Sequence, residues 1–414
     1  MKHAIRFASG LGSGDPPSVK IAFINSSAEP GKDGVGDYTY SLAAALRELG
    51  HSVLVIALRD RWLADPAHVI THDNAGGVSV ERLPACLPLP ERIDRAAARL
   101  KEFRPDWASF QMVCYGYHPK GLLFGLNRHL PRLAAACENW HVTFHELWIG
   151  FHKGALWKHR LVGALQKQSI KRAVRILRPK LVQTSTPLFR ALLGTIGIEA
   201  SVLPLPGNIA VEPETGFEWF LEILGEPGKA VVPEERKRHL AGGFFGAIYP
   251  NWNPEPFFSS LRAVVAKTGQ KVSIFSAGRI GGGEEIWKQL PAVYPDFRFH
   301  KLGELSFGRV SQYLQNLDFG MAATSWLLIG KSGATAAMLD HGLPVMVTRN
   351  DYVPRGNIEV ESLPDRLLIR ADRDVSGCFL AGLPTRAPHP SVADLASNLV
   401  HWMEGAASPS TGRG

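Results

Sequence analysis

From Val19 to Asn25 the chain reads VKIAFIN, a run with almost no polar residue, and from Tyr38 to Leu49 apolar residues return at helical spacing. A glycine-rich loop separates the two, so the segment predicts strand, loop and helix. Gly50 stands where a helix C-terminal glycine belongs, and SVLVIAL from Ser52 to Leu58 predicts a second strand. Strands this uniformly apolar must be covered on both faces, which is the situation of a parallel sheet flanked by helices. Further strands are expected at Val78–Leu83, Trp107–Val113, His141–His145, Leu181–Thr184 and Ser201–Leu205, separated by helices such as Arg92–Phe103 and Pro187–Ile196. Such alternation is the pattern of a doubly wound α/β unit.

The pattern breaks over Pro204–Arg238, where Pro, Gly and charge dilute it, and resumes at Gly242. Strands are then expected at Gly243–Tyr249, Val272–Ser276, Phe297–Leu302, Phe319–Ala323 and Pro344–Thr348, with helices at Pro254–Thr268, Glu284–Leu290, Arg309–Leu317 and Gly333–His341. The expected organisation is a flexible leader at 1–17, a first Rossmann-like domain at 18–212 and a linker region at 213–240. A second Rossmann-like domain at 241–388, a terminal helix at 389–406 opening on a Ser391-x-x-Asp394 capping pattern, and a tail at 407–414 complete it. Two domains suit 414 residues. Open α/β units bind ligands beyond the carboxyl ends of their strands, so the cleft between the two is the expected site.

Composition narrows the class. With 45% hydrophobic and 20% charged residues the chain reads as soluble and globular. No apolar run approaches the roughly 18–20 residues of a membrane span, and the first residues lack a secretory pattern, so a cytoplasmic protein is expected. Cys86, Cys114, Cys137 and Cys378 show no paired spacing, so neither a metal site nor a disulfide framework is expected. The net charge of +8 is concentrated in Phe151–Lys180, which holds nine Lys/Arg and no Asp/Glu. The remainder is close to neutral, which argues against a nucleic-acid partner. Within that stretch Lys158, Lys167, Lys171, Arg172, Arg175, Arg178 and Lys180 interleave with Leu156, Trp157, Leu161, Leu165, Ile170, Val174 and Leu177. Two readings fit: a cationic amphipathic helix on an anionic membrane surface, or, more plainly, a helix packed on the sheet with a solvated basic face.

The loop Gly31-Lys-Asp-Gly-Val-Gly-Asp-Tyr38 has the ingredients of an anion site, glycines and a helix N-terminus, but not the spacing of the dinucleotide fingerprint; a plain tight turn is the simpler reading. From Gly34 the sequence Gly-Val-Gly-Asp-Tyr-Thr-Tyr-Ser-Leu-Ala-Ala-Ala-Leu-Arg-Glu-Leu-Gly-His51 resembles the opening of glycosyltransferases of the two-Rossmann GT-B architecture, of the family 4 and family 1 kind. Val142-Thr-Phe-His-Glu146 resembles a strand-end segment of that family, Val202-Leu-Pro-Leu-Pro-Gly-Asn-Ile209 its interdomain passage, and Ala337-Met-Leu-Asp-His-Gly-Leu-Pro-Val345 its Gly-x-Pro-Val signature. The resemblance implies a nucleotide sugar, such as a UDP- or GDP-sugar, held mainly by the second unit and a glycan, lipid-linked or small-molecule acceptor held by the first. It implies transfer without an obligatory metal or further cofactor, and a terminal helix that crosses back to the first unit.

The chain departs from the family at four charged positions. Ile329 and Ala337 replace the paired glutamates of retaining members, and the segment from Gly246 through Asn251 to Asn253 lacks the usual Arg and Lys. In their place Gly330-Lys-Ser-Gly-Ala-Thr335 resembles the Ser-Gly-Ala turn of inverting GT-B enzymes, with Lys331, Ser332, Gly333 and Thr335 as diphosphate candidates. Gly34, Gly36, Gly246, Asn251, Arg279 and Glu304 are further donor-side candidates, exposed loop charge being the alternative for Lys331 and Arg279. For acid–base work the candidates are His145, Glu146 and Asp37; His145 could be a hydrogen-bonded structural histidine and Asp37 a helix cap. Stereochemistry stays open. So do two other readings: an epimerase or pseudo-glycosyltransferase on the same scaffold, and a degenerate domain that only binds.

Overall fold

The computed structural model describes residues 18–65, 70–73, 77–225 and 229–407. The expected leader at 1–17 and most of the expected tail lie outside them. The first unit is built on an eight-stranded sheet: β1 (Lys20–Asn25), β2 (Ser52–Asp60), β3 (Ile70–Asp73), β4 (Ser79–Pro84), β5 (Trp107–Met112), β6 (Trp140–Phe144), β7 (Leu181–Thr184) and β8 (Ser201–Val202). Their order is β3-β4-β2-β1-β5-β6-β7-β8, and every pairing is parallel except β3 with β4. Five of the six β1 side chains are buried, as a central strand covered on both faces requires. One face packs under Ile93, Leu100, Leu126, Leu130 and Ile170, the other under Leu42, Leu46 and the terminal helix.

The second unit carries β9 (His239–Phe245), β10 (Lys271–Ala277), β11 (Arg298–Gly303), β12 (Phe319–Ser325), β13 (Val345–Arg349) and β14 (Leu368–Arg370) in the parallel order β11-β10-β9-β12-β13-β14. β9 begins four residues before the expected Gly243. Its apolar pattern is hidden by Gly242 and Gly243, where a Cβ would lie 2.0 Å from the Phe319 ring and 1.9 Å from the Tyr313 hydroxyl. Large aromatics fill the space that side chains of the strand would ordinarily take. The expected linker region 213–240 is instead part of this unit. It holds the helices Phe217–Leu224 and Pro233–Arg236, and Phe220, Leu221 and Leu224 are buried in the second core.

The terminal helix, Val392–Ala407, lies against the helix Gly34–Glu48 of the first unit, with Leu395, Ala396, Leu399 and Met403 buried there. The chain therefore crosses between units twice. Further contacts tie them: the Lys153 N–H donates to the Val353 carbonyl at 2.8 Å, the Arg355 N–H to the Phe151 carbonyl at 2.7 Å, and Arg190 pairs with Glu361 at 2.9 Å. No helix among the described residues is long and apolar enough to cross a membrane.

Candidate active site

The carboxyl ends of β1, β2, β5, β6 and β7 face that of β12 across a cavity of about 430 Å³. Each strand delivers its following loop: residues 32–41 after β1, Arg61 after β2, Val113 after β5, His145 and Glu146 after β6, Ser185 after β7, and Lys331 with Gly333 after β12. The passage Leu205–Asn208 forms part of the wall where the chain leaves the first unit. This is the placement open α/β sheets dictate for a ligand.

On the second unit's side, Lys331 also borders an adjoining cavity of about 210 Å³ lined by Tyr249, Ser332, Ala334 and Thr335. Gly330 lets this loop approach the first unit, since a Cβ there would come within 2.6 Å of the Ser185 carbonyl oxygen. The Lys331 ammonium lies 5.8 Å from the centre of the Phe189 ring and forms no ion pair with any described carboxylate. Ser332 caps the helix Gly333–Asp340: its Oγ accepts from the Thr335 N–H at 3.2 Å and from the Thr335 hydroxyl at 3.0 Å. Thr335 is buried and spent on this contact. With the Ala336 N–H donating to the Ser332 carbonyl, the Gly333 and Ala334 amides stand at the open end of the helix. Two N–H groups at the open helix end, a helix dipole and an ammonium outside any described ion pair are the groups that an anion site requires.

On the first unit's side, Asp33 rather than Asp37 caps the helix Gly34–Glu48, accepting from the Val35 and Gly36 N–H groups at 3.0 Å. Gly36 is buried with its N–H spent on Asp33, whereas Gly34, at the first position of that helix, borders the cavity. Asp37 accepts from the Gly31 N–H at 2.8 Å and borders the cavity. Burial pushes its carboxyl above the ordinary aspartate range, the Gly31 N–H opposing and the Asp33 charge adding to the rise. Glu146 is half-buried on the same cavity wall.

His145 also reaches the cavity, but it is otherwise enclosed. Its Nε2–H donates to Gln111 Oε1 at 2.7 Å, Gln111 Nε2 donates to Ser109 Oγ at 2.7 Å, and the Ser109 hydroxyl donates to His141 Nδ1 at 2.9 Å. The His141 Nε2–H then donates to Thr143 Oγ1 at 3.2 Å. Every bond of this buried chain is satisfied with both imidazoles neutral. Burial holds His141 and His145 at about 3. His145 is thus a poor proton acceptor near neutral pH, and the Asp37 carboxylate is the better base. The same shifts set an acid limit. Below the ordinary histidine value the unfolded chain takes up protons that these two refuse until about pH 3, so stability is full above about 6.5 and falls as pH falls towards 3. Unfolding free energies from denaturant titrations should fall by up to about 1.4 kcal/mol per pH unit per histidine between about pH 6 and pH 4, and His141→Gln should flatten the profile.

Other expected site residues are placed differently. Arg279 and Glu304 bind each other in a bidentate pair at 2.9 and 3.2 Å, 83% and 67% exposed, and border none of these cavities. Asn251 donates to Asp351 at 3.1 Å on the surface, and Gly246 turns the chain after β9 at φ 85°. Ile329 and Ala337 are packed in the second core. Conversely, Lys32 and Arg61, both on the cavity and both within 6 Å of the Trp62 ring, were not among the expected residues. The readable signal for Arg61 is the Arg-Asp-Arg-Trp sequence from Arg59 at the carboxyl end of the second strand.

Residues 33–206 match the family of glycosyl transferase 4-like domains. Among solved structures, the chain is similar to a glycosyltransferase from Rickettsia africae, with 11% identity, a TM-score of 0.52, and 95% of this chain and 100% of that one covered. HepE of Anabaena in complex with UDP gives 12% identity and a TM-score of 0.49, covering 94% and 97%. No curated protein matches the sequence. The first unit thus matches a glycosyl transferase 4-like domain, and over both units the chain shares the fold of the Rickettsia africae structure.

Proposed function

We propose that the cleft transfers a sugar from a nucleoside-diphosphate sugar to an acceptor hydroxyl. The observation that carries this reading is the opposition, across one cavity, of an anion site at Lys331 and the Gly333 helix end to the carboxylates Asp37 and Glu146. The diphosphate lies against Lys331 and the Gly333 and Ala334 amides, and the acceptor lies on the first unit. As the bond between the anomeric carbon and the β-phosphate oxygen breaks, the negative charge left on the diphosphate falls where those donors are already fixed. The acceptor oxygen bonds to the anomeric carbon, and its proton passes to the Asp37 carboxylate, whose upward shift brings it closer to working pH. Lys32 and Arg61 add positive charge on the acceptor side, where an anionic acceptor would meet it.

Turnover of sugar nucleotides by the purified chain, with and without a panel of sugar and alcohol acceptors, tests this directly. Nucleoside diphosphate released in proportion to a new glycoside is the expected result. Interconversion of the sugar nucleotide without acceptor would assign epimerase chemistry, and no turnover with any donor would leave a binding domain.

A further inference from the structure

The helix Trp157–Leu177 presents its faces in the opposite sense to an ordinary amphipathic helix at its N-terminal half. The side turned to the protein consists of Gly163, Gln166, Ser169, Ile170, Ala173 and Leu177. Gln166 is completely buried and fully used: its Oε1 accepts from the Ile149 N–H at 2.8 Å, and its Nε2 donates to the Lys120 carbonyl at 2.8 Å and the Tyr115 hydroxyl at 3.0 Å. Gly163 allows the close approach, since a Cβ there would sit 2.0 Å from the Ile149 carbonyl oxygen. Small and polar residues thus hold the helix down, and the large apolar ones point away. Trp157, Leu161 and Leu165 are 71%, 57% and 50% exposed, with Leu156 beside them. Spaced by four, they form one row about 12 Å long. The helix is packed on the protein, as the plainer reading expects, but in this half its large apolar residues lie on the solvated face, while Ile170 and Leu177 face inward.

We infer that this face docks on an anionic lipid bilayer, with Trp157, Leu161 and Leu165 entering the headgroup region and the surrounding cations meeting lipid phosphates. The charge settles the choice of occupant. The nine Lys/Arg of Phe151–Lys180 have no carboxylate among them in sequence, and none forms an ion pair among the described residues. Lys158 and Arg160 flank the apolar row, while Arg172 and Arg175 continue the exposed side of the helix beyond it. An apolar row bordered by unpaired cations complements a surface of negative headgroups over acyl chains. A second copy of this chain would set like charge against like charge over the same row. The row's aliphatic content suits acyl chains better than the stacked bases of a nucleic acid.

The test is co-sedimentation of the full chain with vesicles of phosphatidylcholine alone or mixed with phosphatidylglycerol, at low and high salt. The expected result is binding to the mixed vesicles only, weakened by salt, and reduced roughly tenfold or more in a Trp157→Ala/Leu161→Ala variant. Both positions are exposed, so the variant keeps the fold, and an unchanged melting temperature checks this. Absence of binding to anionic vesicles at low salt would overturn the proposal, as would binding that the double substitution leaves intact. Self-association in solution that the same substitution abolishes would assign the face to a second copy instead. Nucleoside-diphosphate binding is measured separately, so failure here leaves the transferase reading standing.

Discussion

Replacing Lys331 with alanine should lower kcat/KM for sugar transfer on the order of 10²- to 10³-fold, the usual cost of removing one fixed electrostatic donor from a developing anion. The reason lies in what the side chain lacks. Lys331 is exposed, has no carboxylate partner among the described residues, and its ammonium lies over the Phe189 ring, a contact worth about 0.5–1 kcal/mol at an exposed site. Stability should therefore change little while turnover falls. Lys331→Arg should recover part of the rate, because charge is kept and geometry is not. Arg279→Ala provides the contrast: its guanidinium is already paired with Glu304 outside the cavity, and the substitution should leave kinetics within a few-fold of the parent. Equal rates for Lys331→Ala and the parent would remove Lys331 from the mechanism.

The largest stability effect is expected at Asp60. This carboxylate is completely buried at the end of β2 and accepts from the Ala28 N–H at 3.2 Å, the Trp62 N–H at 3.0 Å and Arg82 Nε at 2.7 Å. Arg82 also binds Glu29, so one buried cluster fixes the loops that carry Lys32, Asp33 and Arg61 to the cavity. Asp60→Ala leaves the Arg82 Nε–H and two buried backbone donors without their acceptor, although Glu29 still holds the far side of the guanidinium, which should cost about 3–5 kcal/mol in chemical denaturation. Asp60→Asn retains an acceptor and should cost less. A loss under about 1 kcal/mol for Asp60→Ala would show that water or another carboxylate satisfies Arg82.

The backbone was easier to read in the sequence than the site, for reasons visible at particular residues. The runs from Lys20 and Ser52 are buried on both faces, so their apolar content is continuous and needs no register to be recognised. β9 starts earlier than its pattern suggests because Phe319 and Tyr313 fill the space above Gly242 and Gly243, a contact between elements far apart in the chain. The helix after Leu156 was legible as a helix, but not in its orientation, because Gly163, Gln166 and Ser169 make its buried side without an apolar signature. At the site, Lys331 and Ser332 could be located from a strand–loop–helix pattern, and Ser332 does cap the helix. That Arg279 and Glu304 would neutralise each other across 25 residues of chain could not be read, because pairing is set by the register of β10 beside β11. The preference for Asp37 over His145 as the proposed base follows from the burial of His145 beside the Gln111–Ser109–His141 chain, an environment that only the packed sheet creates.

The central claim is that the cleft receives a nucleoside diphosphate against Lys331 and the Gly333 helix end. It is tested most directly by thermal unfolding of the purified chain in the presence of UDP, GDP, ADP, TDP and CMP, repeated for Lys331→Ala. At about 100 times its dissociation constant a specific ligand adds about 2.7 kcal/mol, enough to raise the melting temperature visibly. The account predicts a selective rise with one nucleoside diphosphate, diminished in Lys331→Ala at the same concentration. No rise with any of the five, or a rise that Lys331→Ala leaves unchanged, would contradict it.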